Sequence, residues 1–191
     1  MKQQAPGSPD SILREIRSQL PYLMPHVDET SAKNIVAFAD PYSGLADELD
    51  KAMDARIVRY HPAFAEGGAR PDGVSDLIVS LDALESIPES KLDSVIADMA
   101  SLGAKAIIFV GAAKTADDAA IQGDAAVTQE DQDRWAERLG AHFPYLEPIR
   151  VRSKRRAAFK TWKSDDSRQL PNFMIFVREE LKYQWRKLRG I

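Results

Sequence analysis

The sequence predicts an α/β fold, a mostly parallel sheet with helices on both faces and a C-terminal antiparallel hairpin. Three observations lead there. Short apolar runs, among them Ile35–Ala39, Asp76–Leu81 and Ala106–Val110, are strand-sized and lack the polar alternation of a sheet with one wet face. Segments with apolar residues at helical spacing alternate with these runs, the signature of strands covered by helices. After Pro144 the pattern changes: Ile149–Arg155 alternates apolar and basic residues, and Ala157–Trp162 can return beside it.

Residues 1–7 carry no periodic pattern and are expected to be disordered. Ser8 can cap a helix with Pro9 in its first turn, and Ile12, Leu13, Ile16 and Leu20 form its apolar stripe. Pro21 and Pro25 are expected to end that helix, since proline has no N–H to donate to the previous turn, leaving a connector to Asn34. The first strand, Ile35–Ala39, leads through a turn to a helix over about 44–53 on which Leu45, Ala46, Leu49 and Met53 recur. The second strand is Arg56–Tyr60, and residues 61–74, with two prolines and three glycines, form a loop. The third strand, Asp76–Leu81, precedes a helix opened by Pro88, with Leu92, Val95, Ile96 and Met99 on one face and Gly103 at its stop. The fourth strand, Ala106–Val110, is followed by a polar loop over 111–127. Thr128 with Asp131 resembles a capping box for a helix carrying Trp135 and Leu139, and His142 beside Phe143-Pro144 marks its end. Phe173, Phe176, Val177, Leu181 and Trp185 place a final helix over 173–188 whose end is loaded with Lys182, Arg186, Lys187 and Arg189. The organisation expected is an N-terminal helix and connector (1–31), the α/β domain (32–163) and a basic C-terminal helix (164–191) that packs on the domain or a partner.

Composition narrows the chemistry. There are no cysteines, which excludes disulfides, thiolate metal sites and a cysteine nucleophile. His26, His61 and His142 lie far apart, without metal-ligand spacing, and no metal site is expected. No apolar run is long enough to span a bilayer and the start lacks a secretion signal, so a cytoplasmic location is the default expectation. The net charge of −3 hides an asymmetry: residues 1–149 carry 13 Lys and Arg against 25 Asp and Glu, whereas residues 150–191 carry 13 against 4. Arg150, Arg152, Lys154, Arg155, Arg156, Lys160 and Lys163, with Trp162 among them, read as an exposed basic face that would suit nucleic acid or an anionic surface. The same charges would also serve a solvated edge strand, or a tail packed on the acidic body of its own or a sister chain; a protein partner or homodimer is a further expectation.

The stretch Ala39-Asp40-Pro41-Tyr42-Ser43-Gly44-Leu45-Ala46-Asp47-Glu48-Leu49 has the strand–turn–helix form of a nucleotide-binding turn, in which glycines let the backbone approach the ligand and a helix N-terminus faces its polar groups. With Ile57-Val58-Arg59-Tyr60-His61-Pro62-Ala63 and Ser75-Asp76-Leu77-Ile78-Val79-Ser80-Leu81-Asp82-Ala83-Leu84-Glu85-Ser86-Ile87-Pro88, it resembles the class I S-adenosylmethionine-dependent methyltransferase family over roughly residues 32–162. The resemblance implies a Rossmann-like methyltransferase fold, S-adenosylmethionine as cofactor, and Asp40, Ser43, Gly44, His61 and Asp82 as the residues placed to bind it. The catalytic residues stay unassigned.

Several positions depart from the family pattern. Ala37 stands where such enzymes carry an acid, and Ala39, Pro41 and Ser43 stand near its glycines. Ala39 adds a methyl to the backbone, Pro41 removes an amide N–H, and Ser43 disfavours a left-handed conformation. His61 replaces an acid that takes both ribose hydroxyls; a neutral imidazole offers one donor and one acceptor, and His61 is otherwise a loop histidine without a ligand. Ser86 replaces a histidine, leaving Asp82 and Glu85 in the third phrase, with Asp82 either facing ligand at a strand end or serving as a loop carboxylate. The expected function is a methyltransferase-like protein with an impaired S-adenosylmethionine site, acting as a non-catalytic or weakly active binding or partner subunit. An active methyltransferase of unknown acceptor is the alternative, and a module binding nucleic acid or an anionic surface through its basic end is a third reading.

Overall fold

Apolar strands of this kind need cover on both sides, and they receive it. A computed structural model of the chain describes residues 9–40, 43–62, 68–103, 105–111, 131–152 and 155–164. The described elements are α1 (Pro9–Thr30), β1 (Asn34–Phe38), α2 (Leu45–Ala52), β2 (Arg56–Arg59), β3 (Leu77–Leu81), a 3-10 turn (Leu84–Ser86), α3 (Glu89–Leu102), β4 (Ala106–Gly111), α4 (Gln132–Gly140), β5 (Glu147–Pro148) and β6 (Arg156–Lys160). The six strands form one sheet in the order β2-β1-β3-β4-β6-β5. The first four are mutually parallel, and β6 lies antiparallel between β4 and β5, with Gly111 opposite Arg156 and Ile107 opposite Lys160. The architecture is therefore the Rossmann-like one expected.

Strand alternation divides the core in two. Ile35, Ala37, Leu77, Val79, Ile107, Phe109 and Ala158 face α1 and α2, meeting Ile16, Leu20, Leu23, Val27 and Leu49. Val36, Phe38, Ile78, Ile108, Val110 and Phe159 face α3 and α4, meeting Leu92, Ile96, Met99, Trp135 and Leu139. Trp135 is fully buried, and its indole N–H donates to the Gly111 carbonyl at 3.0 Å, tying α4 to the end of β4. Removing that ring from water contributes roughly 4–6 kcal/mol before entropy is counted.

The largest departure from expectation is α1. It runs for 22 residues straight through Pro21 and Pro25 instead of stopping, and the connector before β1 is correspondingly short. Each interior proline costs about 3 kcal/mol in an isolated helix. Here Leu20, Leu23, Met24 and Val27, all on the buried stripe around and beyond the prolines, bind the helix to the sheet and outweigh that loss. Gly103 stops α3 as expected, in extended backbone, and a Cβ there would lie 2.8 Å from the Ser75 carbonyl oxygen. The cap of α4 is Asp131, whose carboxylate accepts from the Arg134 amide at 2.9 Å. The tail 1–7, the Ser8 and Thr128 caps and the C-terminal helix expected over 173–188 lie outside the described residues, as does most of the loop 111–127.

The hairpin exists, but its first strand is only Glu147–Pro148, extended by the Ile149 amide donating to the Ala158 carbonyl at 2.7 Å. The basic face expected on it is divided. Arg150 and Arg152 are exposed, whereas Lys160 is fully buried and Arg156 mostly so, both on the side of β6 that faces α1.

Candidate functional site

In an open parallel sheet, ligands bind beyond the carboxyl ends of the strands where the order reverses. Here β1 is followed in sequence by β2 on one side but is paired with β3 on the other, so the reversal lies between β1 and β3. Phe38 pairs with Ser80 at the ends of these strands, which brings the turn at Asp40–Gly44 beside Leu81 and Asp82.

In the turn, the Ser43 amide donates to the Asp40 carbonyl at 2.9 Å, and the Leu45 amide donates to the Ser43 hydroxyl at 3.3 Å. Gly44 takes the left-handed conformation, with φ of 79°, immediately before α2. Ser43 is not among the described non-glycine residues of positive φ, so the conformational freedom expected to be missing at Ser43 is supplied one residue later. A Cβ at Gly44 would lie 3.3 Å from Leu13 Cδ1, so the N-terminal helix rests on this turn. Ala37 and Ala39 are buried in the core beneath α1 and α2.

His61 follows β2 in a loop and is turned into the protein. It is 1% exposed, its ring centroid lies 5.1 Å from that of Phe38, and it shares a hydrogen bond with the backbone of Ala83. Burial lowers its pKa, opposed by the Ala83 hydrogen bond and the nearby Asp40 carboxylate. The imidazole is thus neutral at pH 7 and serves the packing between the ends of β1 and β3.

Asp82 follows β3 in left-handed backbone, φ 51°, with its amide donating to the Phe109 carbonyl at 3.1 Å. Its carboxylate accepts from Arg156 of β6 in a close ion pair. The other Arg156 nitrogen, Nη2, lies 3.1 Å from Glu15 Oε1 of α1. Burial raises the pKa of Asp82, and the charge and hydrogen bond of Arg156 work against that rise. Glu85, in the 3-10 turn, accepts from the Gly111 amide through Oε1 at 3.1 Å, while its Oε2 is buried with no donor in reach among the described residues. Burial, then the Asp82 charge, pushes its pKa up to about 7. At neutral pH Glu85 can therefore hold a proton, and it shares a hydrogen bond with Asp82.

The strand register thus places Asp40, Ser43, Gly44 and Asp82 at the carboxyl ends of β1 and β3, with His61 buried beside them. The structure adds Glu15, Arg156 and Leu13, which the sequence reading did not assign to the cleft. Arg156 has one sequence signal: it is two residues from Ala158 and four from Lys160, so a strand register places all three on one face. Glu15 has none, because the contact joins residues separated by most of the chain. No group of three or more metal-ligating side chains exists among the described residues. No described helix is long and apolar enough to cross a membrane.

No protein-family model matches the chain, and no curated protein matches its sequence. Among solved structures it is similar to magnesium protoporphyrin IX methyltransferase from Synechocystis PCC 6803 with bound SAH, at a TM-score of 0.50 and 16% identity over 83% of this chain and 89% of that one. It is also similar to human N-acetylserotonin methyltransferase in complex with SAM, at 0.54 and 11% over 83% of this chain and 57% of that one. A third is an O-methyltransferase family protein from Burkholderia thailandensis, at 0.50 and 13% over 80% and 59%. The chain spans little more than half the length of the latter two. At such identities the likeness is one of fold, and the chain carries the Rossmann-like fold of the class I methyltransferases.

Proposed function

We propose that the protein is a methyltransferase-like protein with an impaired S-adenosylmethionine site, acting as a non-catalytic or weakly active binding or partner subunit. The observation that carries this reading is that Asp82, the carboxylate at the end of β3, is already paired within the chain. Asp82 is paired with Arg156, and His61 is buried against Phe38 and the Ala83 backbone. Leu13 lies against Gly44. Pro41 adds the loss of one amide donor in the turn. A sugar diol or an amino acid moiety arriving here would have to displace an ion pair before making its own hydrogen bonds, and a fold does not carry its usual activity with it.

Isothermal titration with S-adenosylmethionine and S-adenosylhomocysteine tests the reading. No heat at millimolar ligand is the expected result, and micromolar binding overturns it. One observation favours an active methyltransferase instead: Glu85, with its pKa near 7 at the rim of the cleft, has the proton affinity of an acceptor-side base. The anionic-partner reading now rests on the exposed Arg150, Arg152, Arg155 and Lys163, with Arg156 and Lys160 withdrawn from that face.

A further inference from the structure

The first turns of α1 straddle the cleft. On one side Leu13 lies over Gly44, and Arg17 reaches Glu48 of α2 through Nε at 3.2 Å and Nη2 at 3.0 Å. On the other side Glu15 reaches Arg156 of β6. Between α2 and β6 lie the ends of β1, β3 and β4, so this part of the helix bridges the mouth where a ligand would enter. Arg156 is the hinge point of the arrangement, because the same guanidinium holds Asp82 beneath and Glu15 above. Its side chain is 14% exposed, that of Asp82 31% and that of Glu15 53%. The Glu15 contact is therefore the most hydrated of the set and the first to release.

We propose that Glu15–Arg156–Asp82 is an autoinhibitory latch, which fastens the N-terminal turns of α1 across the cleft and withholds the Asp82 carboxylate from any ligand that brings hydroxyl or amino donors to it. The proposal rests on the impaired-site reading and gives that impairment a reversible cause, separate from the missing glycines. Releasing Glu15 leaves Arg156 free to swing with its ligand or away from Asp82, and leaves Leu13 without its neighbouring tether.

The test uses the full chain, Glu15→Gln, which keeps shape and removes charge, and Glu15→Lys, which sets a cation against Arg156. S-adenosylhomocysteine and adenosine are the probes, read by calorimetry, with amide hydrogen exchange over residues 13–17 as the independent readout of release. The expected result is faster exchange over those residues in both variants and S-adenosylhomocysteine binding at least ten-fold tighter than in the wild type, largest in Glu15→Lys. Faster exchange with no gain in binding overturns the latch and leaves the impaired site standing on its turn residues. Unchanged exchange in Glu15→Lys overturns it as well. Micromolar binding by the wild type that neither variant improves overturns both the latch and the impaired-site reading.

Discussion

Arg156 and Lys160 stand at opposite ends of one face of β6, and each holds a different part of α1. Arg156 lies at the carboxyl end of the parallel strands and takes Glu15 and Asp82. Lys160 lies at the far end, 1% exposed, with Nζ 3.7 Å from Glu29 and 3.4 Å from Glu147, a hydrogen bond to Ser164, and the Trp162 ring centroid at 5.6 Å. Glu29 in turn lies 3.7 Å from His26 Nδ1. The chemistry is the same at both ends, a cation between two carboxylates, but the surroundings differ. The Lys160 ammonium is 1% exposed against 14% for the Arg156 guanidinium, although Glu147 beside it is 36% exposed, and the deeper cation suits the more permanent fastening. The Arg156 end opens on the cleft, and its charges stay partly hydrated, which suits a fastening that can be undone.

The sharpest way to break this comparison is to remove the buried cation. Lys160→Ala leaves Glu29 and Glu147 facing each other and opens a void, and is expected to lose about 3 kcal/mol of unfolding free energy in urea titration. A loss below about 1 kcal/mol would show the two ends to be equivalent.

The second test exploits Glu85. Its folded pKa is raised to about 7 from an ordinary 4.5, so the folded state binds the extra proton between those values. The stabilisation is complete below the lower value and is lost as pH rises through the upper one. Glu85→Gln should therefore match the wild type near pH 4.5 and exceed it by about 3 kcal/mol at pH 8. Equal stabilities at pH 8 would remove the proton from the cleft end.

The smallest effect belongs to His26, and it has the opposite sign. Burial, reinforced by Lys160 and opposed by Glu29, lowers its pKa below 6.5, so the unfolded chain binds a proton first on acidification. Stability should fall as pH drops below about 6.5, and His26→Gln should flatten that slope by less than about 1 kcal/mol. Parallel slopes in the two proteins between pH 7 and 5 would refute it. Taken together, acid loosens the Lys160 end and alkali the Arg156 end.

The strands were legible because burial on both faces removes polar alternation, and the helices because their stripes are regular. The length of α1 was not legible: Pro21 and Pro25 signal a stop locally, and only the packing of Leu23, Met24 and Val27 on the sheet overrides it. Asp82 was legible as a strand-end acid beside the turn, and Gly44 as the turn's remaining glycine. Their occupation was not. Arg156 and Lys160 carry the same charges as Arg150 and Arg152, and nothing near them in the chain says that two face carboxylates of a helix more than a hundred residues earlier. Charge counts register how many cations a segment has; which of them meet solvent depends on register and on non-local partners.

The two prolines inside α1 have a mechanical consequence. With no amide proton at position 21 or 25, the helix lacks two consecutive rungs along one line of its backbone, between the half that carries Leu13, Glu15 and Arg17 and the half that carries His26 and Glu29. Those rungs fall between the half that meets Gly44 and Arg156 and the half that meets Lys160, so the two ends of the rod are held together there by the packing of Leu20, Leu23 and Met24 on the sheet more than by the helix's own hydrogen bonds.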